Sequence, residues 1–499
     1  MKQLFLFLGL AICASCSQPQ TETAEKPRTI ITTDGEVDDM DSFIRMLLYS
    51  NEFDIAGLIY SSSMWHYSGD GKGTMFTSEM PMTQRMYQPR TDLRWPGTTW
   101  MEELIDKYAV VYPNLLKHDK QFPSPDYLKS IIRIGNIEFE GEMSKDTEGS
   151  DFIKSVLLDE NPQSVYIQMW GGTNSAARAL KSIEDQYKGT PEWNDIYKRV
   201  SDKTVMYIIM DQDATYRKYV AVSWPDIRVI MNSSQFGSVA YWWYAAVPQE
   251  LHKYLNGKWF SENILFDHGP LPESYYTWGD GRQIAGDPEH THGSPDEAAR
   301  NGRAKYDFLS EGDSPAYFYL LDFGLNRPDD PASGGLGGRF TKSDTINSLW
   351  ESGRDVTDLN PFTGKPDSSF PQSRWIETLQ NDFALRADWC VKEYSEVNHA
   401  PVVRLKNPAA IVVAPGEKIR IGVKSIDHDG DMLEYSWWQY NEAGTCSDSV
   451  TINNASNKNA EITIPESVEA GKTIHLILEV TDDGKPPLTR YQRVILTIK

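Results

Sequence analysis

A short β-branched run, Thr29-Ile30-Ile31-Thr32-Thr33, ends abruptly in four carboxylates, Asp34, Asp38, Asp39 and Asp41. Residues 42–49 (SFIRMLLY) then read as a helix. A strand, an acidic loop and a helix in that order place the acids at the carboxyl end of a buried strand, where open α/β sheets bind their ligands. Acids held so close repel one another unless a cation joins them. An oxygen-only donor set suits Ca²⁺ or Mg²⁺ rather than zinc. Capping of the following helix is the other use of an Asp in a first turn. Four acids within eight residues exceed what capping needs and favour a metal or substrate site.

The rest of the chain fits an α/β frame. At 499 residues it should hold more than one domain. Strand-like runs recur at Ile30–Thr32, Ile55–Tyr60, Val165–Met169, Val205–Ile209 and Ile227–Met231, with helix-like stretches at 151–159 and at 174–185, the latter opening on Asn174 as a cap. This alternation predicts a mostly parallel sheet with flanking helices over residues 28–395. The Gly- and acid-rich stretches 262–312 and 327–345 read as loops around the site. After Val397-Asn398-His399-Ala400-Pro401 the texture changes to short alternating runs: Ala410–Val413, Lys418–Val423, Ala460–Ile464, Thr473–Val480 and Arg493–Ile498. Residues 400–499 are therefore expected to form an antiparallel, immunoglobulin- or cadherin-like β-sandwich. Within it Asp427-His428-Asp429-Gly430-Asp431 is either a tight acidic turn or a structural calcium loop; its Gly comes two residues too early for an EF-hand.

A formal charge of −22 argues against nucleic-acid binding, which needs clustered Lys and Arg. Fifteen Trp and 25 Tyr supply aromatic faces suited to sugar rings as well as to packing. Lys2, the apolar run Leu4–Ile12 and the small residues before Cys16 resemble a bacterial lipoprotein signal, residues 1–16, with Cys16 lipidated. Residues 17–27 read as a flexible tether. The expectation is a protein at the outer membrane, cell surface or periplasm, joined to the membrane only through a lipid anchor, with homo-oligomerisation left open. Cys390 and Cys446 fall in different predicted domains and are expected as two buried thiols.

Thr32-Thr33-Asp34-Gly35-Glu36-Val37-Asp38-Asp39 resembles the nucleoside hydrolase signature Asp-x-Asp-x-x-x-Asp-Asp, with the first acid replaced by Thr32. Val165–Asn174 (VYIQMWGGTN) is similar to that family's strand and Gly-Gly-x-Thr-Asn loop, and Glu311-Gly312-Asp313-Ser314-Pro315 to its late His-Asp-Pro segment. Asp38-Asp39-Met40-Asp41-Ser42, Asn51–Ile59, Ser61–Trp65 and Asp211-Gln212-Asp213 bring the chain nearer still to a nucleoside-hydrolase-like, cellulose-binding subfamily that carries a C-terminal immunoglobulin-like domain. The resemblance implies a calcium site of Asp34, Asp39 and Asp313, with a main-chain carbonyl near Trp170. Asp34 would also be the base for water, and Asp38 and Asn174 would contact substrate. Gly312 stands where hydrolases that protonate a purine often place His, a departure that bears on nucleoside cleavage more than on metal binding.

Glycosyl cleavage passes through an oxocarbenium-like state and needs an acid or hydrogen-bond donor for the leaving group. His268 is the candidate for that role, with His66 the weaker one, and Trp65 and Trp170 are candidate stacking surfaces; each is also a residue that ordinary packing would explain. Two functions remain open. One is a calcium-dependent hydrolase of an N- or O-glycosidic bond in a carbohydrate or nucleoside-like small molecule. The other is a catalytically silent glycan-binding surface lipoprotein.

Overall fold

The computed structural model describes residues 25–346 and 348–499. The expected lipoprotein signal, residues 1–16, and most of the expected tether lie outside the described residues. The tether's end, Lys26 and Pro27, is joined to the domain: Gln163 donates to the Lys26 carbonyl at 2.5 Å and the Asp54 amide to that of Pro27 at 3.0 Å.

Eight strands form the large sheet: β1 Arg28–Thr33, β2 Asp54–Tyr60, β3 Ile132–Ile134, β4 Val165–Met169, β5 Thr204–Ile209, β6 Arg228–Asn232, β7 Thr341–Lys342 and β8 Leu349–Glu351. Their order is β3-β2-β1-β4-β5-β6-β8-β7, and every pairing is parallel except β7 with β8. Every residue of β4 and of β5 is buried, as expected of near-continuous apolar strands covered on both faces. Alternation splits the core. Ile31, Leu58, Val205 and Ile230 face helix α1 (Val37–Leu48), whereas Ile30, Ile59, Ile167 and Met206 face the helices Glu148–Leu158 and Asn174–Tyr187. The chain runs outward in one direction through β1, β2 and β3 and in the other through β4, β5 and β6, so the sheet's switch point lies between β1 and β4.

Helix α1 begins at Val37, five residues earlier than its apolar periodicity indicates, and all its residues are buried. Asp38, Asp39 and Asp41 are therefore helical, and only Asp34 lies on the loop. Acids at a helix N-terminus are favoured by its dipole, which lets the helix start among them. They do not act as caps: the N-cap is Glu36, which makes no side-chain capping bond. The loop expectation holds for residues 262–312 only in part, since short helices such as Pro295–Arg300 interrupt it. Residues 327–345 face the C-terminal domain rather than the site: Arg493 donates to the carbonyl of Gly334 at 2.8 Å.

That domain is a sandwich of two four-stranded sheets. One pairing departs from the antiparallel expectation, since Ala410–Val413 runs parallel to Thr489–Ile498. In its acidic segment one Asp427 oxygen accepts the amides of Asp429, Gly430 and Asp431 at 2.9–3.0 Å and Asp429 holds His399, while Asp427, Asp429 and Asp431 also bring carboxylate oxygens within 4.8 Å of one another, an arrangement that fits both the turn and the calcium loop. Cys390 of the α/β domain and Cys446 of the sandwich, the two cysteines among the described residues, are buried and free. The two domains share core, as Tyr440, Ile477 and Tyr491 of the sandwich belong to the main cluster of the α/β domain. At their junction the fully buried Asp358 accepts from Arg339 at 2.8 Å, Arg374 at 3.1 Å and Tyr440 at 2.5 Å. Asp358→Ala leaves two buried guanidinium groups without their carboxylate and should cost about 3–5 kcal/mol in equilibrium denaturation; a loss under about 1 kcal/mol would refute this account of the junction.

Candidate carboxylate-floored active site

The carboxyl ends of β1, β2, β4 and β5 lead into Asp34, the segment Ser61–His66, Trp170-Gly171-Gly172 and Met210–Asp213. These segments pack too closely for side chains at the glycines. A Cβ on Gly171 would lie 2.8 Å from Asp34 Cγ, and one on Gly172 would lie 2.4 Å from both the Ser62 carbonyl and Asp213 Oδ2. Above them opens a cleft of about 300 Å³ lined by Glu36, Asp38, Asp39 and Asp313 and by Trp65, Trp170, Phe236, Tyr241 and Trp242, with Arg94 on its wall.

Asp38, Asp39 and Asp313 each bring a carboxylate oxygen within 4.8 Å of the others. Burial and like charge push all three well above the usual carboxylate range. After burial, the charges bearing on Asp313 are those of Asp38, Asp34 and Glu36, all of its own sign. Oxygen donors in this state fit a hard divalent cation. Asp39 is further fixed by Thr33, whose hydroxyl donates to it, and by the Asp34 amide at 3.3 Å.

Sequence reasoning grouped Asp34 with Asp39 and Asp313; the structure groups Asp38 with those two, while Asp34, still near enough for its charge to bear on Asp39, faces His66. Its Oδ2 lies 3.6 Å from His66 Nδ1, and His66 Nε2 lies 3.7 Å from Asp287. These are ion-pair separations without hydrogen-bond geometry, so charge holds the ring. Burial opposes a charged imidazole, but Asp287 and Asp34 outweigh it and raise His66 to about 9. Burial likewise opposes charge on Asp34, and His66 reverses this and holds it below its ordinary value. Asp287 is clamped in turn by Arg94 through bonds of 3.0 and 2.9 Å, and Arg94 lies 3.7 Å from Glu36, which accepts from Tyr241 at 3.1 Å.

Other expected residues are placed elsewhere. His268 is not brought to the cleft: its ring bonds the Phe266 carbonyl at 2.6 Å and Asp388 at 3.2 Å on the helix Ile376–Trp389. Asn174 neither caps its helix, whose N-cap is Thr173, nor lines the cleft. Its amide ties Ser62 to the carbonyls of Asn136 and Glu142, and its oxygen accepts from Ser61. The Trp170 carbonyl accepts from Gln212 at 2.7 Å; Trp65 and Trp170 both line the cleft, but the Trp170 ring is fully buried, its indole donating to Gln168 at 3.2 Å. Gly312 presses on the trio, since a Cβ there would meet Asp38 Oδ2 at 2.6 Å. Sequence reasoning missed Arg94, Asp287, Tyr241 and Trp242, which carry no local motif. Arg94 and Asp287 meet across 193 positions.

Two outcomes follow from this geometry. A folded His66 value of about 9 against 6.5 unfolded stabilises fully below pH 6.5, and the benefit is lost as pH rises through 9. Urea denaturation in chelator should therefore show a loss on the order of 3 kcal/mol between pH 6 and 10 that is absent in His66→Gln; equal slopes in the two proteins would contradict it. Gly312→Ala should displace Asp38 and weaken divalent-cation binding about tenfold or more by calorimetry, with an unchanged midpoint as the refuting result.

Among curated proteins, none matches the chain. A solved structure from Saccharophagus degradans, described as a nucleoside hydrolase-related hypothetical protein associated with carbohydrate metabolism, is 26% identical over 95% of this chain and 100% of that one, with a TM-score of 0.70. A plant nucleoside hydrolase is 11% identical over 73% of this chain and 99% of its own, with a TM-score of 0.33. Residues 418–498 match the model for the C-terminal domain of cellulose-binding protein Sde0182. Residues 28–340 match the model for the nucleoside hydrolase-like domain of cellulose-binding Sde182, and the chain belongs to that family.

Proposed function

We propose that the cleft is a calcium-dependent sugar site that hydrolyses a glycosidic bond in a carbohydrate or nucleoside-like molecule. The observation that carries the reading is the convergence of Asp38, Asp39 and Asp313 on the floor of an aromatic-walled cleft at the sheet's switch point. These three carboxylates would hold the ion. Calcium bound there supplies charge that draws in vicinal sugar hydroxyls and acidifies water. Asp34 is the proton acceptor: His66 keeps it ionised while burial and repulsion push the floor acids toward neutrality. Its Oδ2 makes no hydrogen bond, faces the His66 ring at 3.6 Å, and lies buried behind the residues that line the cleft. Arg94 and Tyr241 line the wall and are the donor groups nearest a leaving group, in place of the imidazole expected at His268; Arg94 gives Asp287 its Nε and Nη2, and the Tyr241 hydroxyl would have to leave Glu36 to donate. Attack by water in one displacement inverts the anomeric centre.

A binding-only role is favoured by one observation, that the residues lining the cleft include no imidazole, with Gly312 filling the place where one would stand. The family described as cellulose-binding agrees with either reading.

Millimolar calcium should raise the melting temperature of the protein by several degrees, and Asp39→Ala should abolish the shift. Calcium-dependent release from nitrophenyl ribosides or a glycan panel, lost in Asp39→Ala, supports hydrolysis. Calcium-dependent binding without turnover supports the second reading. The absence of any calcium shift in the wild-type protein would sink both.

A further inference from the structure

The cleft divides into a charged floor and an uncharged mouth. Floor and near wall carry Glu36, Asp38, Asp39, Asp313 and Arg94. Arg94 is engaged on one side by Asp287 and on the other by Glu36, so its charge is already answered within the protein. Around the mouth stand Met82, Met86 and Trp242, which are 45%, 61% and 54% exposed. Single exposed apolar side chains need no explanation, but three large ones at the rim of one cleft form a patch of the kind that marks a binding surface.

Trp242 is held in position by its neighbours. Trp243, next in the chain, is anchored in the core and donates from its indole to the Phe308 carbonyl at 3.0 Å. Tyr241, the preceding residue, is tied to Glu36 and stacks on His292 with ring centres 5.3 Å apart. Phe236 and Tyr241 both meet the Trp242 ring nearly perpendicularly, at 82° and 83°, with centroids 6.1 and 6.3 Å away. Neither neighbour stacks on the indole face, and the side chain remains half exposed.

Resting on the proposed sugar site, we infer that Trp242, flanked by Met82 and Met86, is the stacking platform for a second sugar ring, and that the cleft takes a neutral glycan chain rather than a lone, phosphorylated or uronic sugar. The apolar face of a pyranose matches an indole plane, and an aromatic platform binds through contact and dispersion without requiring a charge. An anionic ring entering the cleft would approach the four carboxylates of floor and near wall, with the one lining guanidinium, Arg94, already paired to Asp287 and Glu36. A sugar unit gripped at the acidic floor has its glycosidic neighbour directed toward the mouth, where the same cleft continues.

The test is calorimetric titration of the full chain in calcium with methyl glycosides, with neutral tetrasaccharides of β-glucan, xylan and arabinan, and with an oligogalacturonate of equal length. The wild-type protein should bind at least one neutral tetrasaccharide more tightly than its methyl glycoside, and more tightly than the charged chain. Trp242→Ala should narrow the gap between tetrasaccharide and methyl glycoside about tenfold, and Trp242→Phe should restore most of it. An unchanged calcium midpoint in Trp242→Ala separates loss of the platform from loss of the fold. A gap that survives Trp242→Ala, or equal affinity of the wild-type protein for short and long sugars, overturns the inference while leaving the sugar site in place. Preference for the oligogalacturonate overturns it as well. Failure of every sugar to bind in calcium removes the sugar-site reading itself and the inference with it.

Discussion

Asp38, Asp39 and Asp313 are buried within 4.8 Å of one another, and neither burial nor their mutual charge favours that state. The surrounding fold is arranged to keep them together. The N-terminal turn of α1 carries the first two and offers the positive end of its dipole to them. The third is delivered by Glu311, fully buried and locked by Arg45 at 3.2 Å, Tyr275 at 2.5 Å and Ser314 at 2.7 Å. Arg45 belongs to α1, so one ion pair joins the helix that carries Asp38 and Asp39 to the segment that carries Asp313, across 266 positions. A trio maintained against its own repulsion by this many bonds stores a preference for a cation, since a divalent ion removes the repulsion without moving the scaffold.

Asp34 resolves the same conflict differently. It is as deeply buried as the floor acids, but it is paired with an imidazole whose other nitrogen faces Asp287. One charge on His66 serves two carboxylates, and Arg94 serves the second of them again. Two kinds of acid thus sit side by side at the sheet's edge, one kind left with its own repulsion and one supplied with a counter-charge by the protein. Environments that drive neighbouring carboxylates apart in this way separate a group that binds from a group that takes a proton.

Much of this was legible in the chain because it is local. Strand β4 falls on the run Val165–Met169, and Asp38, Asp39 and Asp313 do reach one place, whereas Asp41 accepts from the Tyr276 amide instead. Residues that act through the backbone or across the fold left weaker traces. Asn174 follows a Gly-Gly loop as a substrate ligand would, yet its amide has four neighbours to satisfy within the loops and none of its polar atoms is left over. A histidine in Asp267-His268-Gly269-Pro270 looks like a loop acid, but a half-buried helix carboxylate, Asp388, claims it. The Arg94–Asp287 pair could not be read at all, because neither residue has any sequence neighbour in the site, and Arg94 itself adopts a left-handed backbone with φ 45°.

The sandwich is bound to the α/β domain too intimately to be an appended module on a free hinge. Arg493, nearly all buried, donates to the carbonyls of Leu325 and Gly334, and the Tyr491 amide to that of Phe323. Arg374 of the α/β domain lies 4.6 Å over the ring of Trp438 and 4.7 Å over that of Tyr440, while its charge is met by Asp358. Separating the domains would expose these rings and leave Arg493 and Arg490 of the sandwich without their acceptors on Leu325, Gly334 and Asp382 across the junction. An interface that loses so much on opening keeps one geometry. The loop 327–345, expected at the cleft, is spent on this junction instead, which is why the wall of the site is built from residues 63–95 and 236–287.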